Sequence, residues 1–135
     1  MSKTMLIIED DVVTRDLLRL VFEYDGFACI EAENGAKGLA MLESQGFDMI
    51  ILDNAMPVMT GLEFLENLHH KPHQCEAPII MITGLLNPKI REKATKLGAY
   101  AIVAKPYDLG ELRALVSQLC LTSPSLPEEP SLLSK

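Results

Sequence analysis

The chain has 135 residues, 48% of them hydrophobic, which is enough for one domain that buries a single apolar core. Its formal net charge of −7 argues against direct binding of nucleic acid, because a phosphate backbone attracts a basic face. Three scattered cysteines without CxxC spacing argue against a disulfide framework or a zinc site. No apolar run approaches the roughly 20 residues that span a bilayer. We therefore expect a cytoplasmic protein that does not enter the membrane.

Short apolar runs alternate along the chain with amphipathic stretches. A short, continuous apolar run is typical of a strand buried in a parallel sheet, whereas apolar residues spaced three and four apart are typical of a helix. In chain order we predict a strand at 5–8, a helix at 13–24, a strand at 28–30, a helix at 35–44, a strand at 49–52, a helix at about 62–69, a strand at 79–82, a helix that begins near Pro88, a strand at 101–103 and a last helix over 109–119.

The same spacing predicts which helix faces pack inward. A helix that rests on a sheet buries one apolar stripe and leaves its charged residues outside. The residues predicted to face inward are Val13, Leu17, Leu20 and Val21 in the first helix, and Ala36, Leu39 and Ala40 in the second.

Glycines mark the joints between predicted helices and strands. Gly26, Gly46 and Gly98 each follow a helix and precede a strand, and glycine is the usual residue where a helix ends in a left-handed turn. Five such alternations predict an α/β fold, a doubly wound five-stranded parallel sheet with helices on both faces. We expect residues 1–121 to form this domain and residues 122–135, rich in Ser, Pro and Glu, to form a tail or the start of a linker.

Polar residues stand at the ends of four predicted strands. Glu9 and Asp10 follow the first strand, Asp53 the third, Thr83 the fourth and Lys105 the fifth. Because the carboxyl ends of parallel strands meet at one edge of a sheet, we expect these side chains to converge. Carboxylates packed together need a cation to stay ionised. The pattern therefore indicates a site for a divalent metal and a phosphoryl group, with Asp53 as the acceptor.

Each of these residues also has a purely structural interpretation. Acids after the first strand can cap the following helix, a role that fits Asp11 best. An Asp after a strand is commonly a turn former, although the loop that follows Asp53 could aim the backbone carbonyl of Ala55 at a metal. Thr83 can be structural, whereas Lys105 suits a counter-ion to the acids and precedes Pro106, where a cis peptide bond is accessible.

Four strings carry a family resemblance. They are MLIIEDD at 5–11, MIILDNAMPVMTG at 49–61, PIIMITG at 78–84 and KPYDLGELRALV at 105–116. In this order and spacing they resemble the receiver domain of two-component response regulators, over about residues 3–121. The resemblance implies a flavodoxin-like (βα)5 fold and a phosphoprotein of signal transduction.

The resemblance also implies a role for each acidic position. Asp53 matches the phosphoacceptor of the family. Asp10 and Asp53, together with the backbone carbonyl of Ala55, match its Mg²⁺ ligands, and Glu9 matches the second acid, which acts through metal-bound water.

The remaining implications concern the phosphoryl oxygens, the partners and the output. Thr83 and Lys105 match residues that hold the phosphoryl oxygens. Family members receive the phosphoryl group from a histidine kinase or a histidine phosphotransfer protein and hydrolyse their own acyl phosphate. The family usually carries an aromatic residue three positions before this lysine, where this chain has Ile102. Tyr100 cannot replace it, since two residues along a strand span about 6.6 Å.

The departure at Ile102 affects how we expect phosphorylation to be transmitted. We expect a weakened or different coupling to the surface of residues 87–121, where a downstream protein partner or output domain could bind. The basic residues of this region form either a solvated helix face or a partner surface. Tyr100 and Ala101 stand where the family often has acids that support a homodimer, so the oligomeric state stays open.

Two other functions compete with the phosphoacceptor. An Asp-nucleophile phosphohydrolase generally needs a second acid two residues after the nucleophile, and Ala55 occupies that position. A receiver-like binding module that works without phosphorylation has no need of an intact acidic site, although Ile102 is compatible with it. Both alternatives are therefore less favoured than the signalling domain.

Overall fold

The computed structural model describes residues 3–71 and 76–121, and the predicted tail at 122–135 lies outside the described residues. Five strands and five helices alternate through this part of the chain, as the apolar periodicity predicts. The elements are β1 (Lys3–Ile8), α1 (Val12–Tyr24), β2 (Phe27–Ala32), α2 (Gly35–Ser44), β3 (Met49–Asp53), α3 (Gly61–His69), β4 (Ile79–Thr83), α4 (Pro88–Lys96), β5 (Ala101–Ala104) and α5 (Leu109–Leu121).

All five strands pair in parallel in one sheet, in the order β2-β1-β3-β4-β5. This is the flavodoxin-like order, in which the chain first winds to one side of β1 and then to the other. The three central strands are buried on both faces, which explains their unbroken apolar sequences. The predicted fold class is therefore confirmed.

Alternate side chains of the central strands enter two separate cores. Met5 and Ile7 of β1 pack with Leu18 and Phe22 of α1 and with the apolar face of α5. The intervening Leu6 and Ile8 belong to the second core, under α2, α3 and α4. The sheet thus carries helices on both faces, and each core fixes the position of the strand ends where the polar residues stand.

The prediction for the inward face of α1 is wrong. Leu18 and Phe22 are buried, whereas most of the predicted face points into solvent and, with Tyr24, forms a surface at helical spacing that we call the α1 stripe. The stripe consists of Val13 (76% exposed), Leu17 (48%), Leu20 (59%) and Tyr24 (85%). Val21 is half-buried. Apolar residues occur on two sides of this helix, so periodicity alone selects neither side.

The prediction for α2 is correct only for Leu39, which packs against the core, because small residues decide the rest of the packing. Gly35, Gly38 and Leu42 are buried, whereas Ala36 and Ala40 are exposed and Leu39 is only partly buried. A Cβ on Gly38 would lie 2.5 Å from the end of the Ile8 side chain, so a larger residue here would require that side chain to move, and glycine allows the close approach of helix and sheet.

Two of the three predicted glycine turns are present. Gly26 and Gly98 have φ values of 103° and 109°, the left-handed conformation expected after α1 and α4. Gly46 is not among the positive-φ residues, because α2 ends at an extended Gln45 instead. Pro88 occupies the first turn of α4, as predicted, where its missing N–H is not needed.

Candidate functional site

The strand ends bring the predicted polar residues to one edge of the sheet. Glu9 follows the last residue of β1, Asp53 and Thr83 are the last residues of β3 and β4, and Lys105 follows β5. In the strand register Asp53 lies beside Ile82, the residue before Thr83. The Lys105 N–H donates to the Thr83 carbonyl at 2.8 Å. The hydroxyl and the ammonium are therefore carried by adjacent chain segments next to Asp53.

Three carboxylates form the acidic half of the site. Oxygen atoms of Glu9, Asp10 and Asp53 all lie within 4.8 Å of one another. Glu9 is 4% exposed and Asp53 is 2% exposed, whereas Asp10 lies on the surface. Two buried acids beside an exposed one make a pocket that is open on one side, as binding of an ion from solvent requires.

Lys105 supplies the positive charge of the site. Its ammonium donates to Asp53 Oδ1 at 3.0 Å, and its side chain is 35% exposed against 3% for that of Asp53. Burial opposes the charge of Lys105, but the hydrogen bond and the charge of Asp53 outweigh burial and raise its pKa. Lys105 is therefore held as a cation against the proposed acceptor.

Burial and like charge act against ionisation of the two buried acids. Burial raises the pKa of Asp53, and the charge of Asp10 adds to the shift, while hydrogen bonds from Lys105 and the backbone N–H of Ala55 oppose it. Burial also raises the pKa of Glu9 to about 7, with a further contribution from the charge of Asp53. A bound dication would remove this electrostatic conflict, since it favours the charged form of each acid.

The loop after Asp53 is held by the next residue, Asn54. Its N–H donates to the Ile82 carbonyl at 3.0 Å, and its side-chain oxygen accepts from the Leu62 N–H at 3.0 Å. Gly61 packs against this anchor, because an added Cβ would lie 2.8 Å from Asn54 Cα and 2.9 Å from the Asp53 carbonyl. The position of Asp53 is thereby fixed from both the β4 side and the α3 side.

The middle of this loop carries backbone strain. Val58 has a φ of 70° and is 79% exposed. The left-handed region is unfavourable for a β-branched residue. Ala55, whose carbonyl is a candidate metal ligand, lies at the start of the same loop and is exposed.

Thr83 is the third buried polar residue at this edge, at 1% exposure. Its hydroxyl oxygen accepts from the Leu85 N–H at 3.1 Å. Because the oxygen acts as an acceptor there, the hydroxyl proton can be donated to a ligand. The position of Thr83 therefore agrees with a role in holding a phosphoryl oxygen.

The aromatic residues near β5 occupy different environments. Ile102 is partly buried against the core under α2, α3 and α4, whereas Tyr100 is 64% exposed. Tyr107 packs on the opposite face of the sheet, with the core that contains α1 and α5. Neither tyrosine lies in the environment of Ile102.

The sequence interpretation identified the helix cap but missed a basic residue. Asp11 caps α1, since its carboxylate accepts from both the N–H and the hydroxyl of Thr14, at 2.9 and 2.6 Å. Arg15 donates from Nη1 to the Glu9 carbonyl at 2.7 Å. A basic residue in the first turn after three consecutive acids is the sequence signal that could have indicated this contact.

A parallel sheet in this strand order, with three acids and a lysine at its carboxyl edge, defines a class of signalling domain. The model of the family described as "Response regulator receiver domain" matches residues 5–117. The chain therefore belongs to the response regulator receiver domain family. Such domains are signalling modules of two-component systems rather than conventional enzymes, and they bind Mg²⁺ at an acidic pocket.

The chain is also similar to individual proteins of known sequence. The chain is 34% identical over 120 residues to an uncharacterized 14.6 kDa protein of Leptolyngbya boryana, covering 89% of this chain and 92% of that protein. It is 31% identical to the phosphate regulon transcriptional regulatory protein PhoB of Pseudomonas aeruginosa, covering 96% of this chain and 57% of PhoB. The chain thus spans little more than half of that regulator.

Solved structures share the fold over nearly the whole described chain. A signal receiver domain of a histidine kinase from Syntrophus aciditrophicus superposes with a TM-score of 0.83 at 25% identity, covering 99% of this chain and 100% of that one. The response regulator TrrA of Thermotoga maritima, in complex with Mg²⁺ and BeF, has a TM-score of 0.74 at 30% identity, and the match covers 87% of this chain and 98% of that one.

Among the described residues, no helix is both long and apolar enough to cross a membrane.

Proposed function

We propose that this chain is a phosphoacceptor signalling module in which Asp53 receives a phosphoryl group from a histidine kinase or a histidine phosphotransfer protein. The observation that carries the proposal is the environment of the Asp53 carboxylate. It is buried, bonded to the Lys105 ammonium at 3.0 Å and clustered with the carboxylates of Glu9 and Asp10. Phosphoryl transfer needs mainly a positioned nucleophile and charge neutralisation, and this environment supplies both.

In the proposed reaction, a carboxylate oxygen of Asp53 attacks phosphorus and forms an acyl phosphate. The bond from phosphorus to the donor imidazole nitrogen breaks, and the imidazole keeps that electron pair. Lys105 and Thr83 then bind the phosphoryl oxygens, through the ammonium and the hydroxyl proton. Attack of water on phosphorus later breaks the bond to the Asp53 oxygen, releases inorganic phosphate and restores the carboxylate.

The donor set fits Mg²⁺, which prefers a few oxygen ligands together with water. Asp10, Asp53 and the backbone carbonyl of Ala55 would hold it directly, and Glu9 through water. When bound, the ion supplies positive charge against the acids and the incoming phosphoryl oxygens. Its positive charge would also lower the pKa of the buried Glu9 toward the ordinary range.

The signal follows from a change of contacts at the site. Before transfer, Lys105 bonds to the Asp53 carboxylate; after transfer, the same ammonium can bond to a phosphoryl oxygen. A contact made in only one state shifts a conformational equilibrium toward that state. Ile102 replaces the usual aromatic residue, so we expect the coupling to the surface of residues 87–121 to differ from that of an ordinary receiver domain.

The α1 stripe supports a protein, rather than a small molecule, as the natural donor. It consists of four exposed apolar side chains along α1, and it begins two residues after Asp11, the cap that follows Glu9 and Asp10. Helical spacing places Asp16 and Glu23 along one border of the stripe. A donor that reaches Asp53 from this side would cover the stripe with an apolar helix face bordered by basic residues.

Labelling by acetyl phosphate tests the acceptor assignment. With Mg²⁺ present, we expect intact-mass spectra to gain one phosphoryl group in the wild type and none in Asp53→Asn. Asp48→Asn, at the residue that immediately precedes the same strand, is the matched control and should label normally. Labelling of Asp53→Asn to the wild-type level, or no labelling of a rapidly sampled wild type, would exclude the proposal.

Two further measurements separate the alternatives. Turnover of external phosphate esters would favour a phosphohydrolase. If the free and the beryllofluoride-treated protein show the same oligomeric state in solution, a binding module that works without phosphorylation would be favoured. To test the α1 stripe, Leu20→Glu should label normally with acetyl phosphate but accept the phosphoryl group from a phosphorylated histidine phosphotransfer protein about tenfold more slowly or worse.

A further inference from the structure

Arg15 reaches from the first turn of α1 back to the end of β1. Its Nη1 donates to the backbone carbonyl of Glu9 at 2.7 Å, and only 14% of its side chain is exposed. Arginine is seldom buried to this extent without a specific partner. Here one partner is the main chain of an acidic-site residue, not a carboxylate of the site.

The carbonyl of Glu9 belongs to the peptide that joins the two acids after β1. The Glu9 N–H already donates to the Ala32 carbonyl at 3.1 Å, and the Glu9 carboxylate accepts from the Asp11 N–H at 3.1 Å. The Glu9 carbonyl shares one planar peptide unit with the N–H and Cα of Asp10. Holding that oxygen therefore fixes the orientation of Asp10 as well as of Glu9.

A carboxylate on β2 lies within ion-pair distance of the guanidinium but does not hydrogen-bond to it. Arg15 Nε lies 3.8 Å from Glu31 Oε1, while the other oxygen of Glu31 accepts from Arg19 Nε at 2.8 Å. Among the described residues, Arg15 Nε is the buried side-chain nitrogen with no hydrogen-bond partner. An unsatisfied buried donor costs stability. The protein tolerates this unsatisfied donor while the same side chain donates to the Glu9 carbonyl, which indicates that the hydrogen bond to the carbonyl has a role of its own.

From these contacts we infer that Arg15 is a positioning residue of the acidic site, which fixes the Glu9–Asp10 peptide so that both carboxylates stand within reach of the Asp53 carboxylate. The inference rests on the proposed function, since it concerns the same Mg²⁺ site. Residues that orient metal ligands typically contribute about 10- to 100-fold to metal affinity.

Electrostatics and positioning predict opposite effects of removing Arg15. The guanidinium is a positive charge close to a site for a cation, so its charge alone weakens Mg²⁺ binding. If Arg15 acted only through charge, Arg15→Met would bind Mg²⁺ more tightly than the wild type. If Arg15 acts by holding the Glu9 carbonyl, Arg15→Met binds Mg²⁺ more weakly in spite of the lost repulsion. The sign of the change therefore separates the two roles.

The experiment is Mg²⁺ titration calorimetry on the unphosphorylated protein at pH 8, with wild type, Arg15→Met, Arg15→Lys and Arg113→Met. We expect the Kd of Arg15→Met to rise about tenfold or more. Arg15→Lys should recover part of this loss, because an ammonium can still donate to the carbonyl. Arg113→Met is the control: it removes a cation that bonds to Asp25 and contacts neither Glu9 nor Glu31, and its Kd should stay within about twofold of the wild type.

Urea unfolding of each variant without Mg²⁺ separates a local from a global effect. If Arg15→Met is not folded, Arg15→Lys takes its place. It keeps the positive charge, so a charge role predicts an unchanged Kd, whereas the positioning role predicts a Kd raised about threefold or more, because the ammonium cannot hold the carbonyl with the geometry of the guanidinium. A folded variant that binds Mg²⁺ as tightly as the wild type or more tightly would overturn the inference. A wild type that binds no Mg²⁺ would instead overturn the proposed function.

Discussion

Replacement of the buried Glu9 by glutamine tests the electrostatic account of the acidic site. Burial and the charge of Asp53 raise the pKa of Glu9 from 4.5 to about 7. Between these two values the folded chain binds more protons than the unfolded chain, so stability falls as the pH rises. The loss begins near the unfolded pKa and is complete above the folded pKa. Glu9→Gln cannot ionise and should lack this part of the pH dependence.

The size of the effect follows from the two pKa values. A shift from 4.5 to about 7 makes the cost of ionising Glu9 in the folded chain grow by about 2 kcal/mol between pH 5.5 and pH 8. The wild type should lose about this much more stability than Glu9→Gln over the same interval. The glutamine oxygen can still accept the hydrogen bond that the Glu9 carboxylate receives from the Asp11 N–H.

Urea unfolding at pH 5.5, 6.5 and 8, with a chelator present, measures the difference. Glu66→Gln, on the exposed side of α3, is the matched control and should follow the wild type at every pH. At pH 8, Mg²⁺ should then stabilise the wild type more than Glu9→Gln, because the ion offsets a charge that only the wild type carries. Parallel pH profiles of the wild type and Glu9→Gln would refute the reasoning.

Three further substitutions have expected outcomes in urea unfolding and in acetyl phosphate labelling. Val58→Gly should raise the free energy of unfolding by about 0.5–1 kcal/mol, because glycine adopts a φ of 70° without strain and this gain exceeds the chain entropy that glycine loses on folding. A destabilised variant would show that Val58 is not strained. Gly61→Ala should cost about 1–3 kcal/mol and slow labelling, because its Cβ would lie 2.8 Å from Asn54 Cα, whereas Gly46→Ala, with nothing within 4 Å, should behave as the wild type. Thr83→Val should cost about 1 kcal/mol through the lost acceptor for a backbone N–H, and Thr83→Ser should retain it; equal stability of the two would show that the bond contributes nothing.

The strand ends show how far a sequence can predict a site. Each central strand is an unbroken apolar run, and the residue at its carboxyl end is polar. In a parallel sheet those ends must share one edge, so the meeting of Glu9, Asp53 and Lys105 follows from chain order alone. The cap at Asp11 was equally predictable, because it depends on the conformation of a few neighbouring residues.

Features that depend on contacts between distant elements were not predictable in the same way. The α1 sequence has apolar residues on two sides, and both sides satisfy helical spacing. Only packing against Met5 and Ile7 selects Leu18 and Phe22 as the buried pair and leaves the α1 stripe in solvent. Likewise, α2 buries glycines rather than alanines, because the close approach of helix to sheet decides the face.

The sequence by itself determined the alternation of strands and helices and the fold class. It also determined which acids, which threonine and which lysine stand at one edge of the sheet. The tertiary structure alone decided that Lys105 lies 3.0 Å from Asp53, that the pKa of Glu9 is near 7 and that Arg15 bonds to a backbone carbonyl. The physical reason is range. Apolar periodicity and strand-end position are properties of neighbours along the chain, whereas burial, charge interaction and a guanidinium contact depend on distances that only the folded arrangement sets.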